Sequence, residues 1–247
     1  MKVLVTGVNG QLGYEIVKEL RNKGYNDILG VDRETMDITN KEQVEKVISE
    51  YKPEVIFHCA AWTAVDKAED EIDACYEVNV NGTKYIAEAA KNIDAKVVYC
   101  STDYVFDGTK EGLYETTDKV NPKSVYGLTK YQGEEEVRKN VLKHFVVRIS
   151  WVFGINGNNF VKTMINLADN HKELKVVCDQ FGSPTYTVDL AKKLVEMVHT
   201  DKYGTYHINN EGYCSWAEFA SYIMSTNNLD TKIIPVTTAQ YYEGKDM

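Results

Sequence analysis

Apolar positions along the first two thirds of the chain alternate between two spacings. Short apolar runs at residues 2–6 (KVLVT), 27–32 (DILGVD), 54–58 (EVIFH), 95–100 (AKVVYC) and 144–149 (HFVVRI) read as buried strands. Between the first two, Leu12, Ile16, Val17 and Leu20 fall on one face of a helix over 11–23. Val44, Val47 and Ile48 do the same over 40–51, where Asn40 is a fitting N-cap. Helices are also expected around 70–92 and over 124–140. Strands this apolar are covered on both faces. Strict βαβα alternation argues for a parallel sheet with right-handed crossovers.

The expected fold class is therefore α/β, a Rossmann doubly wound parallel sheet over residues 1–155. Past about residue 155 the rhythm loosens. Helices are expected at 158–171, 187–199 and 215–227, with short strands near 174–177, 204–208 and 232–235. Residues 156–247 are expected to contribute a small C-terminal substrate lobe that closes over a cleft. The long connections 59–69 and 101–123 follow the carboxyl ends of two strands. That edge is where open α/β sheets bind ligands.

Composition narrows the function classes. A hydrophobic fraction of 43% over 247 residues suffices for a sizeable core. The 28 basic and 37 acidic side chains leave a net charge of -9, which disfavours a nucleic-acid partner. Cysteines stand at 59, 75, 100, 178 and 214 without a Cys-x-x-Cys pair, so neither a zinc site nor a redox dithiol is expected. Cys59 and Cys100 close apolar runs and read as small buried side chains. The pattern fits a reducing cytosol. The apolar run at the N-terminus is too short for a signal peptide, and no stretch reaches the ~18 apolar residues of a membrane helix. A cytoplasmic protein without a membrane partner is expected. The histidines are scattered singly, and no metal is expected.

Chemistry enters at residues 3–13, VLVTGVNGQLG. Gly7, Gly10 and Gly13 are spaced three apart, directly after a strand and at the start of a helix. Such glycines serve a tight turn, a close backbone approach to pyrophosphate and close helix–strand packing. The helix N-terminus adds free N–H groups and positive dipole. Asp32 closes the second strand, where an acid accepts hydrogen bonds from ribose hydroxyls and favours NAD(H). Arg33 follows at once. It is either a solvated loop charge or a partner for a 2′-phosphate, so NADP(H) stands as the second cofactor.

Residues 126–130, YGLTK, place Tyr126 and Lys130 at i and i+4 on one helical face. A neighbouring ammonium is expected to lower the phenol's pKa, and the phenol can then protonate a carbonyl oxygen as hydride reaches its carbon. Lys130 can also hydrogen-bond the nicotinamide ribose. Thr102, at the carboxyl end of the fourth strand, can hold the same oxygen in place.

These segments resemble the extended short-chain dehydrogenases and, within them, the dTDP-4-dehydrorhamnose reductase family. The match rests on TGVNGQLG (6–13), AAWTAVDKAED (60–70), STDYVFDG (101–108) and YGLTK (126–130). VDRETMDIT (31–39), RISWVFG (148–154) and DQFGSPT (179–185) add to it. The resemblance covers residues 1 to about 235. It implies NAD(P)H-dependent reduction of the C4 ketone of dTDP-4-dehydro-6-deoxy-L-mannose to dTDP-L-rhamnose, for cell-surface polysaccharide. It further implies that Thr102, Tyr126 and Lys130 are the catalytic set. Asn9, Gly10, Gln11 and Leu12 would line the pyrophosphate, with Gly7 and Gly13 shaping the loop. Asp32 would meet the ribose, Asp37 and Ile38 would flank the adenine, and Ala60, Ala61 and Thr63 would pass beneath the cofactor. Asn79 would tie its helix to the cofactor site. Thr102, Asp103 and Tyr104 would contact the sugar, and Trp151 would pack on it. Family members run on for some tens of residues through an Arg-Pro segment of the substrate lobe, so a shortened lobe is expected here. The chain is expected to work as a monomer or homodimer on a dTDP-sugar. Two other readings stay open: a reductase or epimerase of another nucleotide sugar, for example in spore polysaccharide, and a non-catalytic cofactor-binding regulatory subunit.

Overall fold

A computed structural model of the chain describes residues 1–243. Six parallel strands form the main sheet: β1 (Val3–Thr6), β2 (Ile28–Val31), β3 (Val55–His58), β4 (Lys96–Thr102), β5 (His144–Ile149) and β10 (Gly204–His207). Their spatial order is β10-β5-β4-β3-β1-β2. The chain runs outward from β1 to β2 and then crosses back to β3 on the far side of β1. A crevice opens at the carboxyl ends of the strands where the winding reverses.

Alternation along each strand divides the core into two layers. Val3, Val5, Phe57, Val98, Phe145 and Val147 face α1 (Gln11–Asn22) and α8 (Thr187–Met197). Leu4, Val31, Ile56, Val97, Tyr99 and Val146 face the other way. There they meet α2 (Lys41–Tyr51), α5 (Thr83–Asn92) and α6 (Val125–Asn140) through Val44, Ile48, Ile86, Ala87 and Val137. The side chain of Asn40 caps α2 by accepting from the Gln43 N–H.

The helix expected over 70–92 is assembled from pieces. It begins earlier, as α3 (Val65–Asp70), and breaks at Glu71, whose φ of -119° and ψ of 53° are not helical. It resumes as α4 (Ile72–Tyr76) and passes through a π-helical turn over Glu77–Gly82 before α5. π-turns inside helices frequently mark functional positions, and this one carries Asn79.

The substrate-lobe region also divides differently from the expectation. Strand β10 belongs to the main sheet, paired with β5, and α8 packs on α1. Both elements of 156–247 therefore complete the Rossmann layers, because the apolar edge of β5 and the open face of α1 need cover. The last residues of that range, 244–247, lie outside the described chain. A separate core holds the lobe proper. Met164 of α7 (Phe160–Ala168) packs with Val176 of β7 (Glu173–Val177). Phe219, Ala220, Ile223 and Met224 come from α9 (Trp216–Thr226). Strand β12 (Lys232–Val236) pairs with β7, and a short α10 (Thr238–Tyr242) follows. Four further pieces are strands of only two residues: β8 (Phe181–Gly182) with β11 (Cys214–Ser215), and β6 (Val152–Phe153) with β9 (Thr185–Tyr186). Among the described residues, no helix is long and apolar enough to cross a membrane.

Candidate active site

A cleft of about 980 Å³ lies over the carboxyl ends of β1, β2, β3 and β4. Its first wall is the glycine loop. Gly7 has a φ of +65°, and a Cβ there would lie 2.8 Å from the Ala60 nitrogen. A Cβ on Gly13 would lie 2.3 Å from the Gly7 carbonyl oxygen. No side chain caps the N-terminus of α1 behind Gly10, and its first turn carries no acid. The leading N–H groups therefore face the cleft without a side-chain cap. This fits an anionic group such as a pyrophosphate. Asn156 latches the loop from the lobe side, donating to the carbonyls of Asn9 at 2.8 Å and Gly10 at 3.2 Å.

Asp32 sits at the end of β2 beside this loop. Its carboxylate accepts from the Asn9 amide at 2.5 Å, from the Thr35 hydroxyl at 2.9 Å and from the backbone N–H groups of Glu34 and Thr35. The Thr35 bonds lead in holding it below the usual carboxylate range, so it stays ionised. Arg33 projects into solvent and, among the described residues, forms an ion pair with Asp37 at 3.8 Å. Asp37 in turn accepts from the N–H and hydroxyl of Thr39.

The floor is built on a buried histidine. The Thr6 hydroxyl accepts from the N–H groups of Cys59 and Ala60, both at 3.1 Å, so its single proton goes to His58 Nδ1 at 2.8 Å. His58 then donates from Nε2 to the Thr83 hydroxyl at 3.1 Å. Burial, with help from the Lys130 charge, pushes His58 down to about 3, so it is neutral. This chain ties β1, β3 and α5 together beneath Ala60.

The catalytic candidates converge at the other end. Ser124 caps α6 by accepting from the Gly127 N–H, and Glu69 accepts from the Val125 N–H at 2.8 Å, which fixes the first turn. Tyr126 lies in that turn and makes an edge-on contact with Tyr104 at 5.5 Å. One turn on, the Lys130 ammonium lies 4.1 Å from the centre of the Tyr99 ring, and Tyr99 Oη donates to the Lys130 carbonyl at 3.2 Å. Burial lowers Lys130 to about 8. Thr102, at the end of β4, donates to Asp103 at 3.1 Å and accepts from the Tyr104 N–H. Burial lifts Asp103 to about 6. Burial also raises the Tyr126 phenol, against the opposing hydrogen bond of Thr102, and the Asp103 charge adds to the rise. Lys130 is not what sets that phenol, contrary to the expectation from i, i+4 spacing. The ammonium sits over Tyr99 instead. The consequence is a phenol that keeps its proton at neutral pH, which is the form a proton donor needs.

The sequence matches the family described as RmlD substrate binding domain over residues 1–245. The chain belongs to this family. It is 42% identical to the spore coat polysaccharide biosynthesis protein SpsK of Bacillus subtilis, over 97% of this chain and 84% of that protein. It is 45% identical to a dTDP-4-dehydrorhamnose reductase of Aggregatibacter actinomycetemcomitans, over 89% of this chain and 76% of the relative. The crystal structure of a dTDP-4-dehydrorhamnose reductase from Bacillus anthracis, in complex with NADP, superposes with a TM-score of 0.94 at 46% identity. That match covers 98% of this chain and 86% of the other.

Within this RmlD-family fold, the residues singled out in the sequence gather in one place. Gly7, Asn9, Gly10, Gln11, Leu12 and Gly13 line the cleft, as do Asp32, Arg33, Asp37 and Ile38. Ala60, Ala61 and Thr63 lie along its floor, with Thr102, Asp103, Tyr104, Tyr126, Lys130 and Trp151 at the far end. Asn79 is the exception. It is buried in the π-helical turn and does not line the cleft. It accepts from the Trp62 N–H at 2.9 Å and donates to the Trp62 carbonyl and the Thr129 hydroxyl. Its part is to hold the 60–64 loop against α6.

Several lining residues escaped sequence reasoning. Met36, Thr39 and Val31 line the Asp32 end, while Cys59, Cys100 and Ser101 lie at the strand ends. Trp216 is the largest omission. Its indole stacks on Trp151 with centroids 3.5 Å apart and planes 11° from parallel. Trp151 itself adopts a left-handed backbone, φ 48°, uncommon for a bulky residue. No local pattern marks either feature, because the stack joins distant segments. Ser215 before Trp216 does carry a signal, a capping box with Glu218.

Proposed function

We propose that the chain is a dTDP-4-dehydrorhamnose reductase, reducing the C4 ketone of dTDP-4-dehydro-6-deoxy-L-mannose to dTDP-L-rhamnose for cell-surface polysaccharide. The observation that carries this is the convergence of Thr102, Tyr126 and Lys130 at one end of a cleft whose other end is the glycine loop. A bound reduced nicotinamide dinucleotide supplies the hydride. The N-terminus of α1 binds the pyrophosphate, and the ionised Asp32 accepts from the ribose hydroxyls. Tyr126 gives its phenolic proton to the ketone oxygen as the carbon becomes tetrahedral. The Thr102 hydroxyl holds that oxygen in line. The Lys130 ammonium, held over the Tyr99 ring one turn from Tyr126, bonds the nicotinamide ribose. Asp103, Tyr104 and Trp151 orient the sugar. An intact proton-donor set in a cleft of this size argues against a purely regulatory cofactor-binding subunit.

The deciding experiment follows dinucleotide oxidation with the dTDP-4-keto sugar. Tyr126→Phe is expected to lower kcat by ~10²–10⁴-fold while leaving dinucleotide affinity nearly unchanged. Equal rates in the two proteins would remove Tyr126 from the role of donor. Asp32 supports NADH as the better cofactor, with NADPH also accepted through Arg33. Asp32→Ala should therefore weaken NADH more than NADPH in a fluorescence titration, and an equal loss would refute the ribose contact.

A further inference from the structure

We infer that Cys59 and Cys100 form an oxidisable dithiol in the floor of the cofactor cleft, converted to a disulfide by peroxide when the cleft is free and shielded when a dinucleotide is bound. His58 of β3 pairs with Tyr99 of β4, so Cys59, just past β3, lies beside Cys100, inside β4. Their sulfurs lie 3.7 Å apart, both thiols are free, and both residues line the cleft. Neighbouring strand positions fall within the Cα separation a disulfide spans, about 4.4–6.8 Å, so closing the bond asks mainly for side-chain rotation. The other cysteines are not so placed. Cys75 faces Thr129 and Asn79 and does not line the cleft, and Cys178 and Cys214 pack against the lobe core.

The surroundings assign the two sulfurs different parts. The Cys59 hydrogen bond holds Cys100 below the ordinary thiol range against the effect of burial, and the Lys130 charge adds to this. Cys59 is pushed up by the same bond and by burial. Cys100 is thus the sulfur of the pair whose thiolate form is the more favoured. Its thiolate attacks one peroxide oxygen and the O–O bond breaks, giving the Cys100 sulfenic acid and, after proton uptake, water. The Cys59 sulfur then attacks the Cys100 sulfur and the S–O bond breaks. The released hydroxide takes the Cys59 proton and leaves as a second water. Two thiols are oxidised and one peroxide is reduced. The new bond turns both side chains out of their present rotamers in the floor of the cleft, beside Ala60 and Ser101 and under the end that Lys130 overlooks. Dinucleotide binding then suffers.

The inference rests on the cleft being the dinucleotide site, and its readouts do not require reductase activity. The purified chain is treated with hydrogen peroxide, with and without saturating NADP⁺. Cysteine peptides are mapped by mass spectrometry, and NADPH affinity is measured by fluorescence. The expected result is a linked peptide pair containing Cys59 and Cys100, formed about tenfold more slowly with NADP⁺ present. NADPH affinity should fall by about tenfold or more and return on treatment with dithiothreitol. Cys100→Ser should give no dithiothreitol-reversible change at Cys59. Absence of the Cys59–Cys100 peptide, or its formation with no change in NADPH affinity, would overturn the inference. A protein that forms the shielded disulfide yet leaves the dTDP-4-keto sugar unreduced would refute only the proposed substrate.

Discussion

The two walls of the cleft are built by different means. The sheet wall is set by short-range rules: strand ends in register, a glycine turn, a capped helix. It is then locked by buried polar chains. The lobe wall is made of two-residue strands and a stacked indole pair that joins segments far apart in sequence. In the proposed function the sheet wall carries the groups that hold the cofactor and move a proton. In that reading the lobe wall adds Trp151 and its stacking partner Trp216 to the sugar contacts that Asp103 and Tyr104 make from the sheet wall. Proton transfer and part of the sugar recognition are, in that reading, separated in space, and each wall can be tested by itself.

The largest effect is expected where the sheet wall is locked. Glu134 of α6 is fully buried and accepts from Ser101 of β4, from Nε and Nη2 of Arg148 on β5, and from Arg138, which also reaches Thr205 on β10. Burial works to raise its pKa, but the Arg148 bonds and charge prevail and keep the carboxylate ionised. Glu134→Ala strands the almost wholly buried Arg148 guanidinium, while Arg138 keeps Glu135 and Thr205. Loss of one partner of a buried pair costs about 3–5 kcal/mol, which urea denaturation should register. Dinucleotide and sugar binding should weaken together. A variant that lost sugar binding alone would break the division between the walls.

A second test uses pH. Lys130 is lowered from an ordinary 10.5 to about 8 by burial. If its charge is what the sheet wall contributes, kcat/KM for the dinucleotide falls as pH rises through about 8, about tenfold per unit. Stability moves the other way. Between about 8 and 10.5 the folded chain has released this proton and the unfolded chain has not, so the Lys130 contribution to stability rises with pH. A kcat/KM profile flat through this window would remove the Lys130 charge from the mechanism.

The contrast between the walls also explains what the sequence made legible. Val3–Thr6 followed by Gly7, Gly10 and Gly13 is a local pattern, and the structure places those residues where periodicity and turn chemistry put them. Tyr126 and Lys130 were visible because i and i+4 share a helical face. What Lys130 touches was not, since Tyr99 arrives from β4. Asn79 pointed to the right neighbourhood, but its bonds to Trp62 and Thr129 depend on a π-helical turn that spacing does not announce. The Cys59–Cys100 contact is likewise a matter of strand register. On the lobe side, strand β10 carries Tyr206 and His207 without an alternating pattern, and only its pairing with β5 assigns it to the main sheet. The lobe's two-residue strands are too short for any period to show.

The smallest effect is expected on the lobe wall, and it is the one that most sharpens the comparison. Trp216 opens α9 and presses its indole on Trp151, while a Cβ on Gly182 would come within 2.3 Å of the Trp151 ring. Trp151 is thereby held between Trp216 and the Gly182 backbone in a left-handed conformation that it does not prefer. Trp216→Leu keeps an apolar filling but removes the stack. An aromatic pair contributes about 0.5–1.5 kcal/mol beyond its buried area, so KM for the keto sugar should rise by ~2–10-fold. NADPH affinity should stay as it is, because Trp216 lines the cleft where it stacks on Trp151, at the proposed sugar end. Near-ultraviolet circular dichroism should lose the signal of two coupled indoles in the same variant, while Trp216→Phe should retain part of the affinity. An unchanged KM accompanied by loss of that optical signal would show that the stack supports the lobe without shaping the sugar site. Specificity would then have to come from Asp103 and Tyr104 on the sheet wall.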